Sequence, residues 1–182
     1  MIRTCNPNRT IIICNVNDVN KKRIETLKLN LDRLKLKSKI MNYDILEMNL
    51  KEKYDFIILD APCSSLGTIR RNPELFFKIK EPNFIKITKL QEDLLNVASE
   101  LTNPGGVILY MVCSFLKTET KDQIANFLKK NNEFILDEFS LSKNNEYYNK
   151  FVKNKMFLTL PTRINGKNID GYFAACLKKI NK

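Results

Sequence analysis

Histidine and tryptophan are both absent from these 182 residues, and glycine is scarce, with only five. Without histidine, Ser-His and Cys-His catalytic arrangements are excluded outright. The five cysteines, at positions 5, 14, 63, 113 and 176, form no Cys-x-x-Cys pair. With no histidine to complete a ligand set, a zinc site of the usual spacing is not expected, and no metal is assigned. An odd cysteine count without a signal peptide also argues against a disulfide framework. Any cysteine that acts here acts without a histidine partner.

Long apolar runs are missing too. No stretch approaches the ~20 residues of a membrane helix, so no membrane partner is expected. Met1-Ile2-Arg3-Thr4-Cys5 has no apolar signal region behind its charge, which places the chain in the cytoplasm as an expectation. A monomer is the default.

What is plentiful is positive charge. Thirty-one basic residues against 20 acidic ones give a net charge of +11. A basic surface concentrates polyanions such as RNA. Yet 24 of the basic residues are Lys and 7 are Arg, and Asn is abundant, which is also what an AT-rich genome's codon usage produces. Charge alone does not choose between these.

Hydrophobic periodicity alternates between two types. Residues 10–17, 39–43, 54–59, 107–112, 134–139, 156–160 and 171–177 read as short strands, several of them β-branched and buried. Residues 20–36 carry apolar positions at Ile24, Leu27, Leu31 and Leu34, a helix face. A longer helix is expected over 83–102, with Ile87, Leu90, Leu94, Val97, Ala98 and Leu101 inward. Pro104-Gly105-Gly106 should stop it. Thr120, with Gln123 three residues on, is placed to cap a third helix carrying Ile124, Phe127 and Leu128. Residues 142–155 are polar and Lys/Asn-rich, an expected exposed loop. No internal repeat or linker divides the chain. The alternation predicts an α/β domain with a mostly parallel sheet and an antiparallel C-terminal hairpin.

Asp18, Asp44, Asp60 and Cys113 each follow the C-terminal end of an expected strand, the edge where open α/β sheets bind ligands. A cysteine at a strand end is more often a small buried hydrophobe than a nucleophile. An aspartate there often only caps a turn. Together, the residues offer the parts of one possible scheme. Cytosine C5 is too weak a nucleophile to take a methyl group unaided. A thiolate added at C6 makes the ring enamine-like and able to attack at C5. A nearby carboxyl can hydrogen-bond the base and support the developing charge. Such chemistry needs a cysteine, a carboxylate and a donor pocket.

The residues Asp60-Ala61-Pro62-Cys63-Ser64-Ser65-Leu66-Gly67-Thr68-Ile69-Arg70-Arg71-Asn72-Pro73-Glu74 closely resemble the proline-cysteine motif of the RsmB/Nop2/Sun family of RNA (cytosine-5) methyltransferases. The Arg-Arg-Asn-Pro-Glu extension is most similar to the bacterial 16S ribosomal RNA branch. Gln91 to Leu95, Pro104-Gly105-Gly106, and Tyr110-Met111-Val112-Cys113-Ser114 with Glu119 resemble the second cysteine block. Leu160-Pro161 with Asp170-Gly171-Tyr172-Phe173-Ala174-Ala175 is similar to the terminal strand motif. Asp18 to Arg23 and Asn30 to Leu34 resemble the family's second conserved segment.

The resemblance implies a Rossmann-like sheet using S-adenosyl-L-methionine, with RNA, ribosomal RNA in particular, as partner. It implies Cys113 as the nucleophile at C6 and Cys63 as the cysteine associated with release of methylated RNA. Asp60 matches the carboxylate near base and methyl donor. Asp18 matches the acid on the donor's ribose hydroxyls, and Asp44 the acid beside its adenine. Ser65 departs from the usual Gly, and Met111-Val112 from the usual Ser-Thr. The family's Gly-rich first motif, the strand before it and the N-terminal RNA-binding region find no match. Residues 1–182 are therefore expected to be a partial catalytic domain with the first strand missing. Alternatives are an inactive or split fragment that needs an N-terminal part for donor binding, and a basic RNA-binding module without catalysis. A small-molecule methyltransferase would leave both cysteine blocks unexplained.

Overall fold

Where β-branched and large apolar residues alternate, the chain forms strands, because each side chain then has a packed face to enter. In the computed structural model, residues 2–5, 14–48, 51–77, 82–139 and 150–181 are described, the first stretch as backbone only. The order is β1 (Ile2–Cys5), β2 (Cys14–Asn17), α1 (Lys21–Arg33), β3 (Ser38–Met41), β4 (Tyr54–Asp60), α2 (Phe84–Glu100), β5 (Thr102–Val112), α3 (Lys121–Lys130), β6 (Phe134–Asp137), β7 (Val152–Lys153), β8 (Met156–Leu158), β9 (Thr162–Ile164), β10 (Lys167–Ile169) and β11 (Phe173–Lys179).

Along the main sheet the strands run β3-β2-β1-β4-β5-β11-β8-β7, and β6 also pairs with β11. Strand β2 is parallel to β3, and β4 to β5. Because β1 is antiparallel to both β2 and β4, those four strands share one direction and one carboxyl edge. Strand β11 returns antiparallel beside β5, with β8 antiparallel to it. This is the mixed sheet of a Rossmann-like fold, with a mostly parallel centre and an antiparallel C-terminal side.

The slot between β2 and β4 is filled, but in reverse. Ile2 pairs with Asn17 and Leu59, so the start of β1, not its end, lies at the carboxyl edge. The early residues of the expected 10–17 strand lie outside the described residues. So does most of the expected loop at 142–155, whose last residues form β7.

The core sits between the sheet centre and helices α2 and α3. Ile57, Leu59, Ile108, Tyr110, Val112, Leu95, Ala98 and Leu177 are fully enclosed. Tyr110 meets Phe173, and Phe127 meets Phe134, edge to face.

Some local expectations need correction. The inward centre of α2 is Gln91, Leu95, Ala98 and Ser99, while Leu90 is 37% exposed. A glutamine was not counted as a core position, yet Gln91 is buried because its amide has partners on other segments. Helix α1 buries Ile24 alone, and Leu34 lies exposed. Thr120 makes no capping hydrogen bond. Its hydroxyl donates to Leu116 O at 2.8 Å, and Gln123 Nε2 donates to Thr88 O, so tertiary partners displace the expected box. Pro104-Gly105-Gly106 falls inside β5 rather than before it. The ladder there jumps from the Tyr54–Thr102 pair to Phe56–Val107, and Gly105 at φ +77° absorbs the bulge. The β9–β10 hairpin was not anticipated, although Asn165-Gly166, both at positive φ, is a strong hairpin signal.

Candidate active site

Four strands with one direction bring their C-terminal ends to one edge. Asp18 follows β2, Asp44 follows β3, Asp60 ends β4 and Cys113 follows β5. With Cys63 from the loop after β4, all five line one cavity of about 480 Å³. Asn17, Arg23, Tyr43, Ile45, Leu90 and Leu94 also line it. The volume falls within the range of small-molecule sites, ~300–1,000 Å³.

At the β2–β3 side the carboxylates are tied into turns. Asp18 Oδ1 accepts from Asn20 N and from Arg23 Nη2, both at 2.8 Å, and Arg23 Nε lies 2.8 Å from Oδ2. Burial works to raise the pKa of Asp18. The Arg23 and Asn20 hydrogen bonds outweigh it and hold the carboxyl below its ordinary value. Asn17 makes a two-way amide pair with the peptide of Tyr43, Nδ2 to Tyr43 O at 3.1 Å and Tyr43 N to Oδ1 at 3.3 Å. That pair anchors the loop carrying Asp44. Asp44 Oδ1 in turn accepts from Leu46 N at 3.0 Å and caps the 3₁₀ turn Ile45–Glu47.

The β4–β5 side holds the sulfur chemistry. Cys63 Sγ and Cys113 Sγ are 3.3 Å apart. The Cys113 sulfur is 3.6 Å from the Ser65 hydroxyl. Hydrogen bonding from Cys63 stabilises the Cys113 thiolate and, with Ser65, offsets burial and the nearby Asp60 charge, lowering the Cys113 pKa to about 6. The same hydrogen bond, together with burial, pushes Cys63 strongly up. The sulfurs thus form an unequal pair, Cys113 the anion and Cys63 the proton holder. Ser65 reaches Cys113 from a left-handed backbone, φ +62° and ψ +14°, which explains why glycine is usual at this point in the motif.

Behind the sulfurs lies Glu119, wholly buried. Its carboxylate accepts from Ser64 N (2.8 Å), Ser64 Oγ (2.6 Å), Ser114 Oγ (2.5 Å) and Gln91 Nε2 (3.2 Å). Gln91 Nε2 also donates to Pro62 O at 2.9 Å. In the sequence Glu119 and Gln91 stand out only as members of the second cysteine block. The available signal was a polar residue on an apolar helix stripe.

A third block closes the site from the side. Arg70 and Arg71 both bind the Asp170 carboxylate, at 3.1 and 2.5 Å, joining the loop after β4 to the entry of β11. Next to them, Arg70, Arg71, Lys167, Phe151, Phe157 and Tyr172 line a second, larger groove of about 1060 Å³. Among the described residues no group of acidic or sulfur side chains could hold a metal ion, and no helix is long and apolar enough to cross a membrane.

A Rossmann-like sheet with acidic residues along its carboxyl edge and two apposed thiols at one end defines a methyltransferase-type domain of the two-cysteine kind. The chain belongs to the 16S rRNA methyltransferase RsmB/F family, whose model matches residues 2–178. It is 37% identical over 123 residues to the ribosomal RNA small subunit methyltransferase B of Shewanella oneidensis, covering 66% of this chain and 29% of that protein. Among solved structures, PH0851 superposes with a TM-score of 0.77 at 32% identity, covering 91% of this chain and 36% of that one. NSun6 from Pyrococcus horikoshii gives 0.73 at 24% identity, covering 92% and 41%, a likeness of fold. The chain thus spans under a third of the length of the curated relative it matches.

Proposed function

We propose that residues 1–182 form part of a methyltransferase catalytic domain that methylates cytosine C5 in RNA, small-subunit ribosomal RNA being the favoured substrate. The observation that carries this reading is the 3.3 Å approach of Cys63 and Cys113 in the cavity that also gathers Asp18, Asp44 and Asp60. S-adenosyl-L-methionine fits the residues present. Asp18 would take the ribose hydroxyls, exchanging them for part of its Arg23 contact. Asp44 and Ile45 would flank the adenine, and Asp60 would lie toward the reacting methyl. When bound, the cofactor supplies that methyl group.

The chain's own residues then have these roles. Cys113, already anionic near neutrality, adds to C6 of the cytosine and forms an S–C bond while electron density moves to C5. Asp60 hydrogen-bonds the base edge and supports the charge that develops. After C5 has been methylated, transfer of its proton to a water molecule leaves the electron pair to re-form the C5–C6 double bond and expels the Cys113 thiolate. Cys63, in contact with that sulfur, serves release. Arg70, Arg71 and Lys167, beside Phe151, Phe157 and Tyr172, give the neighbouring groove the cations and ring faces that a single RNA strand uses.

The test is adduct formation with a cytosine-containing ribosomal RNA fragment and S-adenosylmethionine, read as a denaturation-resistant protein–RNA band. Cys63→Ala should accumulate the band and Cys113→Ala should abolish it. No band in Cys63→Ala would refute the role assignment. RNA binding that is unchanged in Cys113→Ala, with no methyl transfer by the unmodified chain, would favour a basic RNA-binding module instead.

A further inference from the structure

Two cysteines in contact pose a question of choice: either could be the nucleophile. The surroundings are not symmetric. Glu119 is enclosed completely, and its carboxyl group takes four hydrogen bonds, two of them from an amide N–H of the backbone and of Gln91, the pattern that suits a carboxylate. Among the described residues no cation is paired with it. Its hydrogen bonds are distributed unequally between the two cysteine loops. On the Cys63 side it holds the backbone amide and the hydroxyl of Ser64, the next residue. Through Gln91 it also reaches the carbonyl of Pro62, the preceding residue. Cys63 is therefore gripped on both flanks. On the Cys113 side, among the described residues, the carboxylate is linked through the Ser114 hydroxyl, a side chain, rather than through a backbone amide.

A buried anion wrapped by one loop disfavours a second anion in that loop. Cys63 then keeps its proton and can donate it in a hydrogen bond toward Cys113, 3.3 Å away. On its other side Cys113 has the Ser65 hydroxyl 3.6 Å off.

We infer that Glu119 is the positioning residue that makes the two cysteines unequal, holding Cys63 as the thiol and leaving Cys113 as the nucleophile. It touches no reacting atom. It acts through the loop peptides and through its charge. The inference rests on the proposed reaction for its meaning but not for its test, because sulfur reactivity can be read without RNA or methyl donor.

The experiment is competitive alkylation of the intact chain by iodoacetamide from pH 5 to 9.5, with Cys63 and Cys113 quantified separately by peptide mass spectrometry. In the unmodified chain Cys113 should react at least about tenfold faster than Cys63 at pH 7, since the thiolate is the reactive form. In Glu119→Gln the isosteric amide can keep its oxygen on Ser64 N while the serine hydroxyls reverse. There the preference should fall to within about threefold of parity, and the Cys63 profile should move to lower pH. A merely structural role would leave the two pH profiles in their original order. Ser64→Ala removes one of the hydrogen bonds to Glu119, with the hydroxyl's weaker contacts to Ser114 and Leu66 N, and keeps the carboxyl group, so it should retain the preference. It carries the test if Glu119→Gln loses its cooperative melt. Equal reactivity in the unmodified chain, an unaltered preference in folded Glu119→Gln, or a lost preference in Ser64→Ala would each overturn the inference. A preserved preference with no RNA adduct in Cys63→Ala would instead defeat the proposed reaction and leave the role of Glu119 standing.

Discussion

Gly67 and Gly171, 104 residues apart, meet backbone to backbone: Gly171 N donates to Gly67 O at 2.7 Å, and Gly67 N donates to Cys113 O at 3.0 Å. Three segments, the loops after β4 and β5 and the entry to β11, therefore close on each other through main-chain atoms as well as through the pairing of Arg70 and Arg71 with Asp170. A Cβ at Gly67 would overlap the Gly171 carbonyl, with its carbon at 2.7 Å and Cys113 O at 2.9 Å. Glycine is required at this position because of close approach, not because of its dihedral angles. We expect Gly67→Ala to cost at least about 3 kcal/mol of stability, measured by chemical denaturation, and to reduce any methyl transfer with it. A loss below about 1 kcal/mol would show that the loops can separate freely.

Ser65 offers a trade between stability and reactivity. Its left-handed backbone costs a non-glycine residue about 1 kcal/mol. Ser65→Gly should therefore raise the unfolding midpoint. It should also remove a hydroxyl from beside Cys113 and move that thiol's titration upward. A thermal scan and an alkylation profile on the same sample check both halves.

The Cys113 titration has a definite sign. A thiol lowered from its ordinary value to about 6 is anionic above that pH. Alkylation of Cys113 should rise from pH 5, pass its midpoint near 6 and level off by pH 8, while Cys63 continues to gain reactivity beyond pH 9. A Cys113 midpoint above pH 8 would remove the electrostatic part of the site's description. Cys63→Ala deletes the largest stabilising contact and should move the Cys113 midpoint up.

For the donor end, Asp18→Asn keeps the shape and removes the charge. If Asp18 binds ribose hydroxyls, S-adenosylmethionine affinity by calorimetry should fall about tenfold or more, from loss of a charge-assisted hydrogen bond worth ~1.5–3 kcal/mol. Unchanged affinity would relocate the ribose. Asp44→Asn should have a smaller effect, because that side chain also serves as a turn cap.

Leu95 tests the core behind the site. It is fully enclosed between α2 and the sheet. Leu95→Ala should cost ~2–5 kcal/mol in chemical denaturation. A smaller loss would mean that α2 is not seated on the sheet as described.

Much of the site was legible in one dimension because each of its parts follows a strand. Short apolar runs ended by Asp18, Asp44, Asp60 or Cys113 carry that order whatever the packing, and the four ends share an edge once the strands are parallel. The motif residues around Cys63 and Cys113 gave the chemistry for the same reason, as local words in a local order. Less legible was anything that depended on a partner far along the chain. Gln91 looked like an interruption of a helix face, and its amide became a core group only through Pro62 O, 29 residues away. Thr120 and Gln123 matched a capping pattern, but the hydrogen bonds that formed were to Leu116 and Thr88. The Asn165-Gly166 hairpin is different in kind, since its signal is local to the turn.

By itself, then, the amino-acid sequence determined the family, the run of strands and helices, and which four polar residues stand at strand ends. These follow from periodicity and from motif identity, neither of which needs a contact to be known. Only the tertiary structure decided that Cys63 and Cys113, 50 residues apart, touch at 3.3 Å, that Glu119 binds mainly the Cys63 loop, and that a strand in reverse fills the slot between β2 and β4. The reason is physical. Which sulfur is the anion depends on distances to a buried charge and to donors on other segments, and those distances do not exist until the sheet edge closes.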